Sequence, residues 1–170
     1  MAIEAMSRGA ASAVLVDRGP AALDAIAANL RWTGFDDVAR VHRGDVTGFL
    51  GGPLVEGVPF TLVFCDPPFA MPDEQLATVL RALARPGWLD DDPEGDGATV
   101  VVRRAKGDGA PPLPAGWMST WERTFGDTFV AVIAAAPPPG DDAAAQPGGA
   151  SEGDDDDIDG GDIDDGGAPA

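Results

Sequence analysis

The chain has 170 residues, with 11 Lys and Arg against 29 Asp and Glu, one His and one Cys. Eleven of the acids fall in residues 141–170, which hold no base, so residues 1–140 carry 18 acids against 11 bases and have no broad basic face of the kind that binds phosphates. A single cysteine excludes an internal disulfide, and no apolar run reaches the roughly 18 residues that span a bilayer.

The opening MAIEAMSRGAAS lacks the basic start and long apolar stretch of a secretory signal, so the expected location is the cytoplasm. Ser12 to Asp17 (SAVLVD) is a β-branched run ending in an acid and predicts a buried strand. From Pro20 to Trp32 the positions Leu23, Ile26, Ala27 and Leu30 follow helical spacing, behind a proline suited to a first turn. Val38 to His42 predicts a second short strand, and Asp45 to Leu50 a helical turn. Phe60 to Cys65 (FTLVFC) predicts a fully apolar strand that stops at Asp66-Pro67-Pro68. Asp73 to Leu83 predicts a helix capped by the acid at its start. Ala98 to Arg103 predicts a further strand, and Trp117 to Ala134 a hairpin turning at Gly126-Asp127.

Strands alternating with helices at this spacing predict an α/β fold, a parallel sheet covered on both faces. The composition then divides the chain into a domain over residues 1–136 and a Pro-, Gly-, Ala- and Asp-rich tail over 137–170. So few large apolar side chains cannot offset the entropy of ordering the chain, and the tail is expected to be disordered. Its run Asp154 to Asp157 matches no calcium loop, and no metal site is expected.

Ligands of such sheets bind beyond the carboxyl ends of the strands. Asp17, Asp45 and Asp66 stand at three successive strand-to-helix junctions. Any one of them taken alone reads better as a turn-capping acid, and Asp45 in HRGDVTGFL is as good an N-cap for the turn after it as a neighbour for an adenine edge. Three in succession favour a ligand site. An acid in the position of Asp17 commonly accepts hydrogen bonds from ribose hydroxyls, whichever nucleotide carries them.

Asp66-Pro67-Pro68-Phe69 is the most informative stretch. The amino group of guanine or adenine is a poor nucleophile, because its lone pair is delocalised into the ring. Two acceptors that take both N–H groups favour a more pyramidal nitrogen with an available lone pair. The Asp66 carboxylate and the Pro67 carbonyl can supply them, Pro67 and Pro68 fix the turn that aims them, and Phe69 can stack on an extruded base. The plainer alternative is a strand-ending turn that contains two prolines. His42 and Cys65 read as structural, and Trp88, Trp117 and Trp121 as packing residues. Arg103, Arg104 and Lys106 read either as RNA phosphate contacts or as a solvated strand end.

Taken together, Ile3 to Ala10 (IEAMSRGA), Val14 to Asp17 (VLVD), Ala27 to Leu30 (AANL), Gly44 to Val46 (GDV), Phe64 to Phe69 (FCDPPF) and Phe125 to Thr128 (FGDT) resemble the RsmD-type methyltransferases, in the right order and at the right spacing over Ala2 to Ile133. These enzymes modify the exocyclic N2 of a guanine in 16S rRNA. The resemblance implies a Rossmann-like class I sheet dependent on S-adenosylmethionine (SAM), and as partner the 16S rRNA or the assembling small ribosomal subunit, met by a monomer. It also implies that Asp17 holds the SAM ribose, Asp45 and Val46 the adenine, and Asp66 to Phe69 the target guanine.

Members of that family carry a basic N-terminal arm, a first strand and a glycine-rich loop before the segment matching Ile3. The resemblance thus implies a truncated chain whose first strand and glycine-rich loop are missing, the strand from the middle of the sheet between those ending at Asp17 and Asp66. Three other readings stand beside this one. The same D-P-P-F chemistry serves DNA adenine or a protein glutamine, the chain is an inactive fragment, or it is a dehydrogenase domain, which the lack of a G-x-G-x-x-G motif opposes.

Overall fold

A computed structural model describes residues 1–69, 71–91 and 97–135. The expected tail and its boundary after residue 136 lie outside the described residues. In chain order the elements are α1 (Ala2–Ser7), β1 (Ala13–Asp17), α2 (Pro20–Thr33), β2 (Ala39–Arg43), α3 (Val46–Gly51), β3 (Leu62–Cys65), α4 (Asp73–Leu83), β4 (Ala98–Ala105), a 3-10 turn (Lys106–Asp108), β5 (Met118–Phe125) and β6 (Thr128–Ala135). None of the described helices is long and apolar enough to cross a membrane.

The strands form two sheets. β1 pairs in parallel with β2, from Ala13 beside Ala39 to Asp17 beside Arg43. β3 pairs in parallel with β4, which continues through antiparallel β6 to β5, giving the order β3-β4-β6-β5. Among the described residues no strand joins β1 to β3, which leaves the interruption the resemblance implied at that place in the sheet. β5 and β6 are the expected C-terminal hairpin, with Gly126 and Asp127 between them.

Side chains alternate across a strand, and β1 shows what that does to one packed on both faces. Val14 and Val16 pack against the large core, whereas Ala13 and Leu15 pack against a smaller cluster built on Met6, Leu30 and Ala39. The large core takes one face of β4 (Ala98, Val100, Val102), the facing row of β6 (Ala131, Ile133, Ala135) and the apolar stripe of α4 (Leu76, Val79, Leu80, Leu83). The spacing of that stripe, three and four residues apart, is what makes α4 a helix with one buried side. Each such side chain contributes about 1.5–3 kcal/mol when fully buried. α2 stops because Gly34 adopts the left-handed conformation (φ 73°), which lets the Phe35 amide donate back to the Leu30 carbonyl at 3.0 Å.

Several details differ from the expectations, among them β3, which begins at Leu62 rather than Phe60. The N-cap of α4 is Pro72, and Asp73 is the first helical residue and caps nothing with its side chain. β4 runs two residues past Arg103, and the alternation carries Arg104 inward to 3 % exposure. Trp121 packs into no core but lies 43 % exposed on β5, unlike the buried Trp88 and Trp117.

Candidate functional site

Asp17 is the last residue of β1 and is partly buried. Its Oδ1 accepts a hydrogen bond from the Gly19 amide at 2.7 Å, which folds the carboxylate over the turn into α2. Its backbone carbonyl accepts from the Gly44 amide at 3.0 Å, so the ends of β1 and β2 are tied together. Gly44 has no room for a side chain without displacement, because a Cβ there would stand 2.9 Å from Nε2 of His42. The His42 ring in turn lies 4.9 Å from that of Phe49, while His42 itself is exposed.

Asp45 follows directly and is the N-cap of α3, its Oδ1 accepting from the Gly48 amide at 2.8 Å. A cap of this kind is worth about 1 kcal/mol. The capping alternative for Asp45 is therefore realised, and a carboxylate has acceptor sites left beyond that one bond. Val46 begins α3 and packs partly buried against the large core. Phe49 and Leu50 of the same helix enter that core, which fixes the Asp45 turn against the sheet that carries β3.

Asp66 follows β3 and points away from the core, its side chain 39 % exposed. Pro67 is half-buried, whereas Pro68 and Phe69 are exposed. The Pro68 carbonyl accepts from the Met71 amide at 2.9 Å and closes a tight turn that delivers the chain to Pro72 and α4. With two prolines fixing φ inside it, this segment has few conformations to lose. Cys65 lies on the opposite face of the strand. Burial, and secondarily the Asp66 charge, push its thiol from 9.0 up to about 11. The neutral thiol is thus favoured by folding, and the stability this adds is complete below about pH 9 and is lost as pH rises through about 11. Iodoacetamide at pH 8 is expected to label Cys65 about a hundredfold more slowly in the folded chain than in urea, as followed by mass spectrometry.

Sequence reasoning missed the partner of Asp66. Arg103 on β4 sets its Nε 3.4 Å from Oδ1 of Asp66, and its Nη1 donates to Oδ2 at 3.4 Å. The same guanidinium lies over the Phe69 ring, 5.4 Å from its centroid. No local sequence pattern pointed to it, because the contact follows from the parallel pairing that ends at Cys65 beside Val102 and brings the residues after them close together. Arg104 is no phosphate contact. It is buried, paired with Asp73, and donates to the carbonyls of Asp108, Gly109 and Ala110. Among the described residues no group of three or more His, Cys, Asp or Glu side chains could hold a metal ion.

Comparison with known proteins places this geometry. The family described as conserved hypothetical protein 95 matches residues 1–134. The ribosomal RNA small subunit methyltransferase D of Escherichia coli is 31% identical over 126 residues, which cover 74% of this chain. The chain spans 58% of the length of that relative. Among solved structures, an Escherichia coli protein, yhhF, whose description proposes a methyltransferase, is 29% identical with a TM-score of 0.65, over 79% of this chain and 70% of the other. A conserved hypothetical protein of Streptococcus pyogenes is 27% identical with a TM-score of 0.64, over 78% and 76%. The rRNA methyltransferase aviRa of Streptomyces viridochromogenes shares the fold, with a TM-score of 0.54 at 15% identity over 78% of this chain and 70% of the other. The expected Rossmann-like methyltransferase fold and the resemblance to the RsmD-type enzymes are both borne out.

Proposed function

Since the chain belongs to the family described as conserved hypothetical protein 95, we propose that it is an RNA methyltransferase that acts on the exocyclic N2 of a guanine in 16S rRNA, with SAM as the methyl donor. The reading is carried by the Asp66 carboxylate, which stands exposed at the carboxyl end of a partly buried parallel strand, in a chain similar to a curated small-subunit rRNA methyltransferase.

SAM when bound supplies a methyl group on a positively charged sulfur, ready for attack by a nitrogen lone pair. The residues present suit the nucleoside part of that molecule. Gly19 occupies one oxygen of Asp17 and leaves acceptor capacity for the two hydroxyls of a ribose. The Asp45 turn, held against β1 through Gly44, is where Asp45 and Val46 would border the adenine.

On the substrate side, the Asp66 carboxylate accepts one N–H of the guanine amine and the Pro67 carbonyl accepts the other. Both acceptors are fixed before the base arrives, so little reorganisation is needed as positive charge develops on the nitrogen. Held in this way, the nitrogen would be able to take the methyl group that SAM supplies, and one amine proton would then leave to solvent. Exposed Phe69 offers a face on which the base stacks. His42, turned to Phe49, has no part in this, and no strong base is needed.

Radiolabelled methyl transfer tests the proposal on three substrates: assembled small subunits, deproteinised rRNA and naked DNA. Incorporation into one of the first two, with none into DNA, is the expected result. Incorporation into DNA alone would transfer the reading to adenine. Titration of the chain with SAM by calorimetry tests cofactor use separately, and a chain that neither binds SAM nor transfers methyl would return the reading to an inactive fragment.

A further inference from the structure

Arg103 is charged, half-exposed and unused by the chemistry above, yet it touches both ends of the D-P-P-F turn. We infer that Arg103 is a positioning residue of the same site: from the neighbouring strand it fixes the Asp66 carboxylate and the Phe69 ring in the places where the base amine and the base face are to meet them. The inference rests on the methyltransferase reading.

Two contacts from one guanidinium carry it. Nη1 donates to Oδ2 of Asp66, while Nε stands at ion-pair distance from Oδ1 without hydrogen-bond alignment. Together they hold the carboxylate from one edge, and a carboxylate gripped there keeps acceptor sites on its remaining lone pairs for an incoming N–H. The guanidinium carbon lies over the Phe69 ring, 5.4 Å from its centroid, in a cation–π contact. Asp66 follows β3 and Phe69 precedes α4, so the turn itself supplies no link between the two side chains across the prolines. β4 supplies it, because its register sets Arg103 alongside Asp66. An arginine is required for this double contact, since a lysine ammonium has neither the fork nor the plane. The other role open to an arginine here is to grip an RNA phosphate, and the grip on Asp66 competes with it.

Arg103→Gln, Arg103→Lys, Asp66→Asn and the Arg103→Gln/Asp66→Asn pair separate the two roles. A positioning role predicts that Arg103→Gln lowers kcat about 10- to 100-fold with KM changed less than about threefold, and that Arg103→Lys recovers part of the loss. It predicts further that the double variant is no slower than Asp66→Asn alone, and that RNA affinity keeps its salt dependence. A rise in KM with a flatter salt dependence, by about 0.7 in log–log slope, would mean a phosphate contact and overturn the inference, as would losses that multiply in the double variant. Amide exchange at Met71, whose N–H is bonded to the Pro68 carbonyl, gives a readout free of activity. It is expected to quicken about tenfold or more in Arg103→Gln, and an unchanged rate overturns the inference by itself. Absence of transfer by the unaltered chain overturns the methyltransferase reading and the catalytic meaning of the pair, while the exchange rate still shows whether Arg103 fixes the turn.

Discussion

Asp66→Asn is expected to lower methyl transfer about 10²- to 10³-fold while leaving the fold intact, a loss of roughly 3–4 kcal/mol of transition-state stabilisation. The substitution keeps the size of the side chain and replaces one acceptor oxygen by an NH2 donor. That donor would face an amine that also donates, so one of the two hydrogen bonds that localise the lone pair is exchanged for a repulsion. The lost hydrogen bond is made to the reacting amine, so the effect is expected on kcat more than on RNA binding. Because the Asp66 side chain is 39 % exposed and its ion pair with Arg103 lies at the surface, urea unfolding of the variant should shift by no more than about 0.5 kcal/mol. A variant that lost activity by unfolding would show itself in that measurement.

Arg104→Ala has the opposite signature. It is expected to destabilise the fold by about 2–4 kcal/mol, read from urea unfolding, although the residue beside it tolerates change. The Arg104 side chain is buried, and it satisfies three carbonyls of the 108–110 loop as well as the Asp73 carboxylate at the start of α4. A buried guanidinium is tolerated only because its hydrogens are matched in this way. Its removal leaves a void, gives up the hydrogen bonds to those carbonyls and unties the end of β4 from the first turn of α4. Arg103→Gln, one residue away on the solvent side, should unfold within about 0.5 kcal/mol of the parent. The pair thus separates a residue that holds the structure from one that serves the site.

The elements that repeated a strong local pattern were legible in the sequence. α4 spans Asp73–Leu83 as expected because Leu76, Val79, Leu80 and Leu83 leave no other period possible. The hairpin turns at Gly126-Asp127 for the same kind of local reason. What was not legible depends on partners distant in sequence. Arg104 reads as a solvated strand end until β4 is extended to Ala105 and its alternation places the side chain inside. Asp73 reads as a helix cap, and the buried Arg104 claims its carboxylate instead. The aromatic ring of Trp121 suggested packing, but β5 is an edge strand with little laid over it.

The candidate site divides in the same way. Asp17, Asp45 and Asp66 were recognisable because each stands at or just past the carboxyl end of a strand, and local hydrogen bonds fix the first two. Val46 was singled out only by its place in the G-D-V match, and it lies where α3 begins. Arg103 read only as a phosphate contact or a solvated strand end, because its contact with Asp66 comes from the β3–β4 register, which local sequence patterns do not specify.

The central claim is that a carboxylate and a proline-fixed carbonyl receive the two hydrogens of an exocyclic amine. Nuclease digestion and mass spectrometry of the methylated rRNA test it most directly, by showing which atom carries the new methyl group. The account predicts N2-methylguanosine from the parent chain and almost none from Asp66→Asn. A methyl group on a ring nitrogen or a ribose oxygen, or equal yield from the variant, would contradict it.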